Sequence, residues 1–214
     1  MRINQYIALA TGLSRRKADE LVASGKVAVN NRPAETGQTI QDTDSVTVNN
    51  QAVGLPSLTT IMLNKPPGYV TSRDGQGSPT IYDLLPTQLH HLKPIGRLDK
   101  DSSGLLLLTN DGQLAQQLTH PRHQKTKRYQ VALDKPLANK DQPAMEQGVS
   151  LEDGLSRLKL KGQGTVWTVT MSEGRNRQIR RTFAALGYRV TALHRTHFGS
   201  YFLGDLKSAA YVSV

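Results

Sequence analysis

The run Leu105-Leu106-Leu107-Leu108 constrains the fold more than any other feature of this chain. A strand turns alternate side chains to opposite faces, so four leucines in a row leave neither face for water and put the segment inside the protein. It is the longest purely aliphatic stretch in 214 residues, far too short to cross a bilayer. Before it stands the charged segment Gly96-Arg97-Leu98-Asp99-Lys100-Asp101-Ser102-Ser103-Gly104, and after it the turn Asn110-Asp111-Gly112. A loop anchored by a buried strand is held in place yet stays open to a substrate. Asp99 and Asp101 are therefore candidates for a reacting carboxylate, with loop capping as the alternative use of either.

Residues 49–59 carry no charge and no sustained periodicity, and Gly54 and Pro56 punctuate them. They divide the chain into a module at 1–50, a linker at 51–59 and a larger domain at 60–214. In the module, Ile3, Tyr6, Ile7 and Ala10 recur at helical spacing up to Gly12. Ser14 can cap a second helix whose apolar stripe is Ala18, Leu21 and Val22 and which Gly25 ends. Arg15, Arg16 and Lys17 crowd the first turn of that helix, where each exposed positive charge opposes the dipole at a cost of about 0.3–1 kcal/mol. Phosphate contact, aided by the free N–H groups of the same turn, is a use that explains the crowding. Short alternating runs follow: Val27 and Val29, the Asn30-Asn31 turn, Ile40, then Val46 and Val48 behind Asp42-Thr43-Asp44. The module holds six basic and five acidic residues, so placement rather than net charge carries the RNA reading. A solvated face on an ordinary small domain is the alternative. Helix, basic helix and the hairpin Lys26-Val27-Ala28-Val29-Asn30-Asn31 together resemble the S4-type RNA-binding domain, which implies that Ser14, Arg15, Arg16, Lys17 and Lys26 face structured RNA.

In the larger domain, Ile61 to Leu63 open a strand that stops at Asn64-Lys65-Pro66-Pro67-Gly68, and Tyr69-Val70-Thr71 starts another. Pro121-Arg122-His123-Gln124-Lys125-Thr126-Lys127-Arg128-Tyr129 has four basic residues and no acid, and runs into a strand from Tyr129 to Leu133. A basic strip ending in an aromatic suits phosphate neutralisation beside base stacking; a surface turn with Tyr129 in the core is the alternative. Trp167, Val169 and Met171 alternate as a strand. Beyond Ser172-Glu173-Gly174, Ile179, Phe183 and Leu186 form a helical stripe that Gly187 ends. Arg175, Arg177, Arg180 and Arg181 need partners, either RNA phosphate or a carboxylate held bidentately. Over the whole chain 27 Lys and Arg face 17 Asp and Glu, a net charge of +10 that favours a polyanion. The absence of Cys removes disulfides, thiolate catalysis and sulfur-built metal sites.

The motifs Leu63-Asn64-Lys65-Pro66-Pro67-Gly68, Gly96-Arg97-Leu98-Asp99, Gly104 to Gly112, Lys127-Arg128-Tyr129 and Glu173 to Arg181, in this order, resemble the RsuA/RluB/RluE/RluF group of ribosomal RNA pseudouridine synthases. The resemblance implies an α+β protein: an S4-like helix-helix-hairpin module, then a catalytic domain with a mixed, mainly antiparallel sheet flanked by helices. It implies that Asp99 is the catalytic carboxylate and that Tyr129 lies against the target base. Arg180 pairs with Asp99, and Ile179 packs beside it. Arg97 fills the space left by the flipped base, and Lys65 helps position the substrate. Arg122, Lys125, Lys127, Arg128, Arg175, Arg177 and Arg181 are left for RNA. The reaction breaks C1'–N1, turns the uracil and rejoins it through C5, with no redox change and no hydrolysis. An ionised Asp suits it as nucleophile or as base, with no metal and no cofactor.

The implied substrate is ribosomal RNA, 23S in preference to 16S, acted on by a monomer in the cytoplasm; the N-terminus Met-Arg-Ile-Asn-Gln lacks the apolar stretch of a secretion signal. Where the family often continues through a Pro-Gly turn and an Arg-containing tail, this chain reads Lys207 to Val214, so the last strand is expected to be short. Two alternatives stay open. A metal-dependent nuclease could use His120 with His123 or His194 with His197, though neither pair has a carboxylate at ligand spacing. A non-catalytic RNA-binding or ribosome assembly factor would use the S4-like module and the basic strips equally well.

Overall fold

The computed structural model describes residues 1–120 and 125–214, which divide into two compact units, Met1–Leu58 and Thr59–Val214. In the first unit, helix α1 (Ile3–Thr11) ends at Gly12 in the left-handed conformation that glycine adopts without a Cβ clash. Helix α2 (Arg15–Ala23) is capped by the Ser14 hydroxyl, which accepts from the Lys17 N–H at 3.2 Å. Ile3, Ile7, Ala18 and Val22 pack on Val27, Val29, Ile40, Val46 and Val48. The sheet under the helices has the order β2-β1-β3-β4, with β1 at Val27–Val29, β2 at Arg32–Pro33, β3 at Val46–Val48 and β4 at Gln51–Val53. Strand β4 lies in the segment expected to be linker. Asn49 and Asn50 have φ of 50° and 63°, nearly repeating the 50° and 64° of Asn30 and Asn31, and both pairs turn a hairpin.

The second unit is built on a sheet of order β11-β12-β8-β13-β7-β5-β15, with β14 added to β13 and β6 to β7. Its strands are β5 (Thr60–Lys65), β6 (Lys93–Pro94), β7 (Ser103–Thr109), β8 (Lys127–Leu133), β11 (Lys159–Gln163), β12 (Val166–Met171), β13 (Val190–Phe198), β14 (Tyr201–Phe202) and β15 (Tyr211–Ser213). A hairpin of β9 (Val149–Leu151) and β10 (Gly154–Ser156) stands apart from it. The β13–β7 pairing is parallel and the others antiparallel. Helices α3 (Gly112–Thr119), α4 (Asp141–Gln147) and α5 (Gln178–Ala185) complete the unit.

The leucine run sits on β7 between β5 and β13, and its parity explains its composition. Leu106 and Leu108 join Ile179 and Phe183 of α5 and Met145 of α4 in one core, while Leu105 and Leu107 join Leu118 of α3 and Phe198 in another. With both faces covered, each leucine is 0% exposed, and each such burial stabilises by about 1.5–3 kcal/mol. Two local expectations change. Tyr69-Val70-Thr71 is no strand: Val70 makes a single bridge to Thr80, because the prolines before it and the turns after it leave no longer run to pair. Asn110-Asp111-Gly112 is the start of α3, where Asp111 accepts from the Gln113 and Leu114 N–H groups. The short last strand, β15, pairs with β5 through Tyr211, Val212 and Ser213.

Candidate active site

Asp99 lies in the loop between β6 and β7, and this loop is tied down by its backbone. The Lys65 ammonium, 0% exposed, donates to the carbonyls of Pro66, Asp99 and Ser102 at 3.1, 3.0 and 2.7 Å. The Thr71 hydroxyl donates to the Leu98 carbonyl at 2.8 Å, and the Gly68 N–H to that of Lys100 at 2.7 Å. Gly104 ends the loop at φ 103°, and a Cβ there would stand 2.2 Å from the Arg195 carbonyl oxygen, so β7 and β13 can approach only through a glycine. Burial pulls the Lys65 pKa down to about 8, against the pull of Asp101 and Asp99. Lys65, expected to help position the substrate, holds from beneath the backbone that carries Asp99.

The Asp99 side chain opens on a cavity of about 340 Å³ whose wall includes Arg97, Tyr129, Ile179, Arg177, Lys127 and Arg195. Tyr129 is 8% exposed and Ile179 4% exposed, while Arg97 is exposed at the rim and among the described residues makes no side-chain hydrogen bond. The arginine pairing differs from the expectation. Arg177, not Arg180, is the guanidinium near Asp99, with Nη1 3.7 Å from Oδ2. Arg177 also grips Asp101 with two bonds of 3.0 and 2.9 Å. Arg180 reaches Asp101 instead: its Nε is 3.3 Å from Oδ2, Nη2 donates to the Asp101 carbonyl at 2.9 Å, and Nη1 to the Val190 carbonyl at 2.8 Å. The physical reason is helix phase: Arg177 precedes α5 with φ 45°, which turns it to the loop, whereas Arg180 sits in the first turn against β13. Hydrogen bonds from Arg177 hold the Asp101 carboxyl below its ordinary value. Asp101 is thus the anchor of both arginines.

Three arginines assigned to RNA are held by carboxylates, Arg177 by Asp101 as above and Arg175 and Arg181 by Asp153. Arg175 donates to the carbonyls of Asp153, Gly154 and Leu155 and to the Asp153 carboxylate, and Arg181 holds the same carboxylate with bonds of 3.1 and 2.6 Å. Together they clamp the β9–β10 turn to the start of α5. Lys127 is half-buried and donates to the Glu173 carbonyl at 3.1 Å rather than standing free. Arg128 is exposed and among the described residues makes no side-chain bond, and Lys125 is half-buried. Arg122 and His123 lie outside the described residues. In the first unit, Arg15 donates to Asn4 at 3.1 Å and Lys17 pairs with Glu20 at 2.7 Å, while Arg16 and Lys26 are exposed and among the described residues make no side-chain bond. His194 Nδ1 is bonded to the Ser103 hydroxyl and His197 Nδ1 to that of Thr196. Among the described residues, no three His, Cys, Asp or Glu side chains gather as a metal group would require.

A mixed sheet whose β7 loop sets a carboxylate beside a tyrosine and an arginine defines an enzyme of the pseudouridine synthase fold. The chain matches the family model for RNA pseudouridylate synthase over residues 59–185 and that for the S4 domain over residues 1–46. It is 38% identical to ribosomal large subunit pseudouridine synthase B of Bacillus subtilis (strain 168), covering 92% of this chain and 85% of that protein. It is 35% identical to ribosomal small subunit pseudouridine synthase A of Pasteurella multocida (strain Pm70), covering 96% and 91%. A crystal structure of a pseudouridylate synthase superposes with a TM-score of 0.73 at 33% identity, over 100% of this chain and 96% of the other. The chain belongs to the RsuA/RluB/RluE/RluF family of pseudouridine synthases, with an S4-like N-terminal domain. It is an isomerase acting on RNA.

Proposed function

We propose that the protein converts one uridine of large-subunit (23S) ribosomal RNA to pseudouridine as a cytoplasmic monomer, with Asp99 as the carboxylate that acts on the ribose. The observation that carries this reading is the half-buried Asp99 carboxylate opening on a cavity walled by Tyr129 and Ile179, with Arg177 3.7 Å away to orient it. The target nucleotide leaves its stack at a cost of about a few kcal/mol. Arg97 at the rim takes up the vacated space, and Tyr129 lies against the base so that it cannot escape once detached. Asp99 assists C1'–N1 cleavage as nucleophile or base, and the uracil returns through C5. Arg16, Lys26 and Arg128 are exposed cations suited to phosphate, which positions RNA without reading its sequence.

Large-subunit RNA is the substrate of the Bacillus subtilis relative by its name, and small-subunit RNA that of the Pasteurella relative at nearly the same identity. A 16S substrate is therefore the second reading. Asp99→Asn is expected to keep RNA affinity within a few-fold and to abolish pseudouridine formation, read by mass spectrometry after base-specific labelling. Product formation by that variant would remove Asp99 from the mechanism. A pseudouridine map of both ribosomal RNAs, with and without the gene, assigns the substrate; one missing site in 16S RNA would move it to the small subunit.

A further inference from the structure

Two cations in the cavity have no role in that scheme. Arg195 on β13 is opposite Tyr129 of β8 and 2% exposed. Its Nε donates to the Leu105 carbonyl at 2.8 Å and its guanidinium carbon stands 5.1 Å from the centre of the Phe198 ring, but Nη2 is buried and among the described residues has no hydrogen-bond partner. Among the described residues no carboxylate forms an ion pair with it. Lys127, two residues before Tyr129 and on the same face of β8, places its ammonium 5.6 Å from the same Phe198 ring. Burial first, and then the Arg195 charge, pull its pKa below the ordinary value. Glu173 offsets the Arg195 charge at Lys127 only in part: its carboxylate is turned to Gln178 and Arg175, and Lys127 bonds only its carbonyl. Uncompensated cations as deep as Arg195 oppose folding. They are of use where negative charge appears during a reaction, because fixed charge in a water-poor site stabilises it without reorganisation.

The isomerisation proposed above, on which this inference rests, produces such a charge. When C1'–N1 breaks, the bonding pair leaves with the uracil and is shared by N1, O2 and O4. We propose that Arg195 and Lys127 form a cationic floor that holds the detached uracil as an anion, with the Arg195 guanidinium turned to a ring carbonyl oxygen. C5 then supplies the pair for the new bond to C1', the C5 proton departs and N1 takes one up, so protons and electrons balance. A half-turn about the N3–C6 axis exchanges N1 for C5 and also O2 for O4. A donor placed at a carbonyl is therefore matched both before and after the turn. Uridine itself is neutral, so the two cations act on the bond-breaking step more than on binding.

Single-turnover rates at saturating RNA test this, with the target uridine present as itself or as 5-fluorouridine, whose base carries negative charge more readily; consumption of the target nucleotide is the readout. Arg195→Gln should slow the uridine reaction by about 10²–10³-fold, the range for loss of one such donor. RNA affinity should stay within a few-fold, Arg195→Lys should recover part of the rate, and the defect should shrink at least about tenfold on 5-fluorouridine. Equal defects on both RNAs, or a defect confined to affinity, would overturn the proposal. If Arg195→Gln does not fold, because the Leu105 carbonyl has lost its donor, Lys127→Met decides. It removes one of two repelling cations, so thermal unfolding should stay or rise, while the uridine rate falls by about tenfold and recovers on 5-fluorouridine. An unchanged uridine rate in that variant sinks the cationic floor. Failure of the wild type to cleave the bond in either RNA overturns the isomerisation reading and this inference with it.

Discussion

Lys65 shows how a residue can govern a site it does not enter. Its ammonium has three hydrogens and three carbonyl partners, so losing a proton removes one of the three bonds. Its folded-state pKa of about 8 lies below the 10.5 of a free lysine. Between those values the native state releases the proton before the unfolded state does, so the Lys65 contribution to stability rises with pH while the Asp99 loop loses a tie. Turnover at saturating RNA should therefore decline above about pH 8 with no parallel fall in the unfolding temperature; a flat profile to pH 9.5 would show that the loop holds without the third bond. Lys65→Met should lower stability by about 1–3 kcal/mol for the carbonyls left unsatisfied. It should reduce turnover more than affinity, measured by urea unfolding beside single-turnover assays.

At the scale of elements, the β9–β10 hairpin sets the position of α5. Arg175 and Arg181 converge on Asp153 at its turn, and the Gln178 amide, 2% exposed, donates to the Ser156 hydroxyl at 3.0 Å. This holds the helix start that presents Arg177 to Asp99 and Asp101. Asp153→Ala should lower the unfolding temperature at pH 7 and slow turnover by letting Arg177 drift. Bonds from Arg181 depress the Asp153 pKa below 3.8, so the stabilisation is complete above that value and is lost as pH falls through the lower folded-state value. The gap in unfolding temperature between variant and wild type should then close under strong acid. A gap that persists there would mean the aspartate acts through packing rather than charge.

At the scale of the whole molecule, the two units divide the work. The unit Met1–Leu58 offers exposed Arg16 and Lys26, and the unit Thr59–Val214 holds the cavity. Tethering a second RNA-binding unit raises the effective concentration of RNA at the first. Removal of residues 1–58 should weaken productive binding by far more than it slows the step at saturation. The dependence of affinity on salt should become shallower as phosphate contacts disappear. A slope unchanged after the deletion would show that the first unit does not touch the RNA backbone.

Periodicity and turn chemistry determined most elements from the sequence alone. The leucine run, the alternation of Trp167, Val169 and Met171, the Ser14 cap and Gly12 each express a local preference that no distant contact opposes. The ordered motifs likewise made the family legible. Asn49-Asn50 could have been read as a hairpin turn, since Asn30-Asn31 carries the same signal. The partners of the arginines were not legible. Whether Arg177 or Arg180 meets Asp99 depends on a left-handed residue before α5 and on the approach of β13, and that Arg175 and Arg181 hold Asp153 depends on a hairpin more than twenty residues upstream. Nothing local marks Arg195 on its strand; its buried, unpaired charge exists only because β7, β8 and β13 meet around one cavity. Local sequence sets backbone preference over a few residues, whereas the pairing of long charged side chains is settled by which elements the tertiary fold brings within reach.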